Sequence, residues 1–424
     1  MEQYFLSEYF RERIESMKFF NNHAEFPKAM SRFGLYLFAF SIPISFVPAE
    51  FAIGIAFIGW LSEGIVNRHW QYYPTQLFIP LLFYIVWNIL ASGISPRPGH
   101  SLWALADNEW PMFIMLLIYF VVDDVKVLKR ILHLWLFSAS VSALYGIWQT
   151  FSGYQLHRHD ALAPMGRYFR AAGFNGFYLT FAGFIMSVFL VSICLSSQSG
   201  KVKYRWGYIL VALMSFLAAL GTFARSIWLS FAVGIPIFGF VKGKRTGALV
   251  TAAFLIAAVL SVIFIPAIRN RAYSSIVPSE NQTRLNLWQT SINMSKDSPV
   301  TGIGEDNFDY YFDRYKVEGY YDVTVHPHND YLTILVSSGI PGLIAFLSIW
   351  FVILRAGFIT QKYSSNPFLK ELAFGSTLAI IGFMIGGLFQ NYYGTFANCW
   401  GWWLMAGFTM ASYRLCAKEE NIKL

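Results

Sequence analysis

The sequence predicts an all-α polytopic membrane protein with about twelve transmembrane helices and a helical cap over one membrane face. Three observations carry this reading. The 424 residues are 56% hydrophobic and only 13% charged, where soluble proteins carry about 25% charged residues. Twelve stretches are mostly apolar, and all but the short 111–122 approach the ~20 residues that a bilayer core requires. One long polar segment, 267–330, interrupts them and carries apolar residues at helical spacing.

In order, 1–32 is an N-terminal segment of mixed charge. Its Leu6, Phe10, Ile14 and Met17 share one helical face, as in a helix lying on the cytoplasmic leaflet, and it lacks the short apolar run and cleavage site of a signal peptide. Residues 33–266 hold nine expected spans: 33–49, 51–67, 76–94, 111–122, 131–151, 176–195, 207–222, 226–241 and 247–266. The polar segment 267–330 follows. Three more spans, 331–354, 372–390 and 396–413, fill residues 331–413, and 414–424 is a short tail.

Lysine and arginine set the orientation. With the N-terminus inside, 21 of the 32 basic residues fall on the cytoplasmic side, and both termini are cytoplasmic. The exterior set is 9 Arg to 2 Lys, whereas the interior set is 9 Arg to 12 Lys. Lysine serves topology as well as arginine does. An exterior surface rich in arginine instead points to a phosphate ligand, because the guanidinium fork matches phosphate oxygens two at a time.

Composition also excludes. No Asp, Glu, Lys or Arg lies between Asp330 and Arg355, or between Glu371 and Arg414. Ion-coupled transport needs ionisable groups at membrane depth, so a proton or sodium relay is disfavoured. Cys194, Cys399 and Cys416 form no CxxC pair and read as apolar fillers, with no disulfide or metal site expected. Membrane lipids are the expected surroundings, and no nucleic-acid partner is expected.

The candidate chemistry sits in the exterior segments. The loop 95–110, with Arg97, Asp107 and Glu109, is not diagnostic. In the loop 152–175, His157-Arg158-His159-Asp160 reads as solvated rather than as a metal site. Arg170 leads into the next span, near a helix N-terminus whose free N–H groups favour anions. Arg225 lies in a tight exterior turn among apolar residues, a costly placement unless it is aimed into a site. Arg269 and Arg271 open the long segment. Arg284 then starts an amphipathic helix whose apolar face is Leu285, Trp288 and Ile292, and Phe308, Tyr311, Phe312 and Tyr315 mark a second, with Glu305 and Asp306 suited to its first turn. The segment ends on His326-Pro327-His328-Asn329-Asp330, where an apolar helix begins; Asp330 can cap that helix or orient a histidine. Gly339 and Gly342 suit close helix packing.

These motifs, in this order, resemble the O-antigen ligase and polymerase superfamily. His328-Asn329, nine residues and Gly339-Ile340-Pro341-Gly342 resemble its His-Asn…Gly-x-x-Gly signature. Thr222-Phe223-Ala224-Arg225-Ser226 looks like its Thr-x-x-Arg-Ser element. Arg284 with Trp288 is similar to its Arg-x-x-x-Trp helix, and Pro299 through Gly304 to its Pro-x-x-Gly-x-Gly turn. Leu343 stands where the best-known ligases place Thr or Tyr, which leaves ligase and polymerase both open.

The resemblance implies a bacterial inner-membrane enzyme, working on the periplasmic side, that takes a glycan from undecaprenyl pyrophosphate. A ligase passes it to the lipid A core; a polymerase passes it to a second lipid-linked glycan. A lipid-linked sugar flippase is the reading from another class. A glycosyl pyrophosphate has a good leaving group, so arginines can stabilise it without a metal or cofactor. What remains is a base for the acceptor hydroxyl, which histidine supplies near neutral pH. The resemblance aligns His328 as that base, with His326 second and Asn329 placed to orient the acceptor. Arg170, Arg225 and Arg284 are the expected pyrophosphate ligands, and one base without a covalent intermediate implies inversion.

Overall fold

The computed structural model describes residues 25–66, 75–198, 202–275, 277, 281–321 and 326–420. The surface helix expected around 6–17 lies outside them. Among the described residues the chain forms sixteen helices. They are α1 (25–41), α2 (Phe46–Val66), α3 (Phe78–Gly93), α4 (Pro98–Glu109), α5 (Met112–Val121), α6 (Val125–Ser152), α7 (Tyr178–Ser196), α8 (Val202–Gly221), α9 (Arg225–Lys242), α10 (Lys244–Phe264), α11 (Pro266–Tyr273), α12 (Gln282–Asp297), α13 (Phe308–Tyr315), α14 (Asp330–Tyr363), α15 (Pro367–Gly386) and α16 (Phe396–Glu420). Two antiparallel hairpins between α6 and α7 are the sheet: β1 (Tyr154–Gln155) with β2 (Asp160–Ala161), and β3 (Pro164–Met165) with β4 (Tyr168–Phe169).

The protein is an all-α polytopic membrane protein. Each expected span overlaps a helix, although 33–49 runs from the end of α1 across a break at 42–45 into α2, and the helices differ in how well they meet the membrane criterion. Among the described residues eight are long and apolar enough to cross by themselves, and the bent pair α4–α5 makes a ninth. Of the remaining three expected spans, 76–94 and 396–413 coincide with α3 and α16, while 33–49 overlaps the second half of α1.

Burial orders the bundle. The apolar window of α7 is 89% buried and that of α15 is 78% buried, whereas that of α10 is 6% buried. The first two are therefore the central helices and α10 faces lipid. Hydrocarbon tails are as apolar as leucine, so close backbone packing has to hold such helices together. At Gly375 on α15 an added Cβ would stand 2.8 Å from Val191 Cα on α7.

Two expectations are corrected. The segment 95–110 is not a loop but helix α4, begun by Pro98 at its first position and bent by 42° against α5. Its charged residues lowered the apolar signal; Glu109 is in fact accepted into the interior by the hydroxyls of Tyr84 (2.8 Å) and Tyr393 (2.7 Å). On α12, the packed face is Asn286, Leu287, Thr290, Ser291 and Met294. Leu285 and Ile292 remain exposed, at 49% and 39%. The helix lies against the polar start of α14 with a face of mixed apolar and polar residues, and Leu285 and Trp288 turn to a cavity instead of the packed interface. The second amphipathic helix, α13, packs as expected, with Phe308, Tyr311 and Tyr315 around Met294, Ile303 and Val336.

Two sequence motifs meet at α14. Gly339 breaks the helix with φ 68° and ψ −170°. Into that break docks the 299–304 turn: Ile340 N–H donates to Pro299 O (2.8 Å), while Ile303 and Gly304 N–H donate to Val336 O and Ser337 O (both 2.9 Å). A Cβ at Gly339 would run into Val300 O, and left-handed backbone costs a non-glycine residue roughly 1–2 kcal/mol before any clash. Gly339→Ala is expected to lower the thermal midpoint of the purified protein by several degrees. An unchanged midpoint would show that the turn does not need this contact.

Candidate active site

Four arginines from four separate places in the chain surround one region. Arg225 is the first residue of α9, Arg271 lies on α11 and Arg284 on α12, and all three line a cavity of about 480 Å³ together with Tyr178, Asn281, Trp288, Phe389 and Gln390. Arg170, between β4 and α7, reaches the same region with its guanidinium 4.3 Å above the Tyr178 ring. Its Nε is buried without a hydrogen-bond partner among the described residues.

Arg271 reports how close these charges are. Its pKa is held down to about 10, first by burial and then by the positive charges of Arg170, Arg225 and Arg284. Among the described residues no carboxylate lines the cavity. Arg225 instead bonds neutral oxygens, Ser274 Oγ (3.2 Å), Ser275 Oγ (3.4 Å) and Asn281 Oδ1 (3.5 Å). Like charges held together in a half-dry site are stabilised by an anion. A bidentate oxyanion with more than one charge fits best. The other side of the cavity is apolar, with Leu179, Leu229, Leu285, Trp288 and Phe389.

Arg170, Arg225 and Arg284 are thus brought together as expected positions, and Arg271 joins them without having been singled out. Only its neighbour in sequence pattern, Arg269, looked equivalent. Residues two apart on a helix point to different sides; Arg269 is exposed, while Arg271 turns inward and its Nε donates to Phe223 O (3.3 Å).

The histidine pair lies next to residues of this cavity, since His328 bonds Gln390 and feels the charge of Arg284. The His326 and His328 rings stand 3.9 Å apart between centroids, and His328 backbone N–H points to His326 Nδ1 at 3.4 Å. His328 has φ 50°, a left-handed conformation that costs about 1 kcal/mol or more and that directs its ring toward Gln390. The hydrogen bond with Gln390 and the nearby Arg284 both act on that ring. Burial, then His326, then Arg284 push the His328 pKa down to about 4, with the Gln390 bond opposing. Burial also lowers His326. Both imidazoles are therefore neutral at neutral pH, the form that accepts a proton.

The residues after the pair hold it in place. Asn329 Oδ1 accepts from Leu332 N–H (3.0 Å) and caps α14, while its Nδ2 donates to Leu388 O (3.0 Å). The amide expected to orient an acceptor is thus engaged at both ends by backbone. Asp330 does not cap the helix: its N–H donates to Gly387 O (2.8 Å) and its Oδ1 accepts from Tyr393 N–H (2.9 Å). Tyr331 OH donates to Met384 O (2.7 Å). Three consecutive residues therefore fasten the histidines to the 384–394 segment that carries Gln390. Below it, Phe346–Tyr393 and Trp350–Trp402 ring contacts at 4.8 and 4.7 Å make the support rigid.

Elsewhere, His157 meets the Tyr145 hydroxyl at 3.2 Å beside the first hairpin. Glu305 accepts from Asn108 Nδ2 (3.0 Å) and Asp306 meets His100 Nε2 (3.0 Å), so neither caps α13. Among the described residues no three His, Cys, Asp or Glu side chains are arranged to hold a metal ion.

Residues 209–347 match the family model described as O-Antigen ligase. This match bears out the resemblance to the O-antigen ligase superfamily that the motifs carry. The matched third of the chain runs from α8 into the middle of α14 and contains Arg225, Arg271, Arg284, both histidines and the Gly339 break; Arg170 lies before it. No curated protein matches the chain. The superfamily supports an enzyme of glycosyltransferase type that handles a lipid-linked glycan.

Proposed function

We propose that the protein moves O-antigen glycan from undecaprenyl pyrophosphate to the lipid A core on the periplasmic side of the inner membrane. The observation that carries this reading is the convergence of Arg170, Arg225, Arg271 and Arg284 beside a neutral histidine pair. The arginines hold the pyrophosphate, and the apolar wall with Trp288 and Phe389 accepts the first part of the isoprenoid. As the bond between C1 and the pyrophosphate oxygen breaks, the electron pair leaves on an oxygen whose charge the guanidiniums stabilise. His328 removes the acceptor proton as the acceptor oxygen attacks C1 from the opposite face, so the anomeric carbon inverts. Asn329 and Asp330 act as anchors that fix His328. The bias of lysines to the other face supports a periplasmic site.

A polymerase remains the second reading, because Leu343 after Gly342 offers no hydroxyl at that position. Purified protein given lipid-linked glycan with and without lipid A core separates them. Transfer to the core is expected; longer lipid-linked chains made without core would replace the ligase by the polymerase. A flippase needs a hydrated polar path through the spans, which the charge-free stretches 331–354 and 372–413 do not favour.

The low His328 pKa has a consequence for pH. Without donor, the ring is expected to stay neutral from pH 8 down to about 5 and to titrate near 4, where an unperturbed histidine would titrate near ~6.5. A bound pyrophosphate offsets Arg284, so the midpoint should move upward and the base should strengthen only when donor is present. Histidine ring NMR with and without inorganic pyrophosphate measures this. A ring that titrates near 6.5 in the free protein, or a midpoint that pyrophosphate lowers, contradicts it. The sign for stability follows: the unfolded chain takes up this proton below about 6.5 and the folded one only near 4, so the folded state loses stability as pH falls through that window.

A further inference from the structure

A second cavity, of about 320 Å³, lies between α4, the 304–309 segment and the start of α14, and His326 and Pro327 form one wall of it. It shares no lining residue with the arginine cavity; His326 walls this second cavity, while His328 bonds Gln390, which lines the first. Its size is at the lower end of the ~300–1,000 Å³ of small-ligand sites.

Its chemistry is opposite to that of the first. Asp107, Glu305, Asp306 and Asp309 line it, and no lysine or arginine does among the described residues. At its edge Arg97 meets Asp309 (3.2 Å) and His100 meets Asp306 (3.0 Å), so the lining is acidic but partly neutralised, and it still disfavours the pyrophosphate end of a donor. Carboxylates, the Thr333 and Ser337 hydroxyls and the Asn391 amide instead suit a ligand rich in hydroxyl groups. Two polar atoms on this side are buried without a hydrogen-bond partner among the described residues. One is Asn391 Oδ1; the other is Oδ2 of Asp330, which is 1% exposed and lines a small recess continuous with the cavity through Glu305, Ser337 and Asn391. Buried polar atoms left unpaired are costly and mark places where a ligand or water completes the bonding. At the rim, Trp103 is 77% exposed and offers a flat apolar face of the kind that the C–H face of a sugar ring covers.

Resting on the glycosyl-transfer reading, we infer that this cavity is the acceptor subsite and takes an uncharged sugar ring with free hydroxyls. The carboxylates and Asn391 fix the ring, Trp103 covers one face, and one hydroxyl lies against the histidine pair. That hydroxyl gives its proton to the pair, its oxygen bonds to C1 of the donor sugar, and the C1–oxygen bond to pyrophosphate breaks with its electrons leaving on the pyrophosphate. Opposite charge in the two cavities keeps donor phosphate and acceptor sugar from exchanging places. The ring can arrive on lipid A core or on a second lipid-linked glycan; both present the same hydroxyl chemistry.

Saturation-transfer NMR on the full-length protein tests this with methyl glycosides of glucose, galactose and N-acetylglucosamine, beside calorimetry with inorganic pyrophosphate. At least one glycoside is expected to bind, about tenfold more weakly in Trp103→Ala and in Asp107→Asn, and unchanged in Arg271→Ala. Both altered side chains are exposed, and an unshifted melting temperature verifies that the variants fold. Pyrophosphate should show the reverse pattern. Displacement of the glycoside by lipid A core or by lipid-linked glycan supports the subsite and tells which carrier brings the ring. No glycoside binding in the wild type, binding indifferent to Trp103 and Asp107, or displacement by neither carrier overturns the inference. Loss of pyrophosphate binding in the wild type, with glycoside binding intact, would instead sink the donor assignment alone.

Discussion

Replacing His328 by alanine is expected to lower the transfer rate by about 10²- to 10⁴-fold, the usual contribution of a positioned general base, while pyrophosphate still binds. The side chain projects from a left-handed backbone position toward Gln390 and the arginine cavity. Its ring bond to Gln390 is a single contact, whereas Asn329, Asp330 and Tyr331 fasten this segment to 384–394. The variant should therefore fold, and single-turnover transfer with a lipid-linked donor reads the chemistry. His326→Ala is expected to act mainly on the acceptor KM, because His326 lines the second cavity. If His328→Ala kept full turnover while His326→Ala lost it, the two roles would have to be exchanged.

The second large effect is expected at Arg271. Each charge-assisted hydrogen bond to a partly dry anion contributes about 1.5–3 kcal/mol. Arg271→Ala should therefore weaken pyrophosphate binding by roughly 10- to 150-fold. Lysine should not restore it, because a point charge lacks the planar fork. The stability readout runs the other way. In the free protein Arg271 is repelled by Arg170, Arg225 and Arg284, so its loss relieves repulsion, and the melting temperature without ligand should not fall. The rise in melting temperature on adding pyrophosphate should shrink. A variant that melts earlier without ligand yet binds pyrophosphate normally would make Arg271 a structural residue.

Much of this protein is readable from one sequence because the bilayer leaves few options. Backbone groups in hydrocarbon must be satisfied within a helix, so runs of apolar residues became helices, as α7 and α15 show. The His326-to-Gly342 stretch also announced itself, since a polar–apolar junction with Gly and Pro is a visible boundary. α4 did not, because Asp107 and Glu109 read as loop residues until Tyr84 and Tyr393 supplied partners from distant helices. The apolar face of α12 was visible, but whether it met protein or a cavity was not. Arg271 stayed hidden beside Arg269, since two equal residues on a short helix differ only in what stands opposite them.

Composition and spacing were enough for the helical membrane fold, the superfamily motifs and three of the four arginines. Those features rest on local composition and spacing along one chain. It took the folded molecule to show that Arg271 completes the cluster, that Asn329 is spent on backbone bonds, and that the Pro299–Gly304 turn fills the break at Gly339. The fold also puts His326 in the wall of an acidic cavity and His328 in contact with Gln390 of the cationic one. Each of these depends on groups tens to hundreds of residues apart meeting at one point, and their charges and bonds acquire meaning only from that meeting.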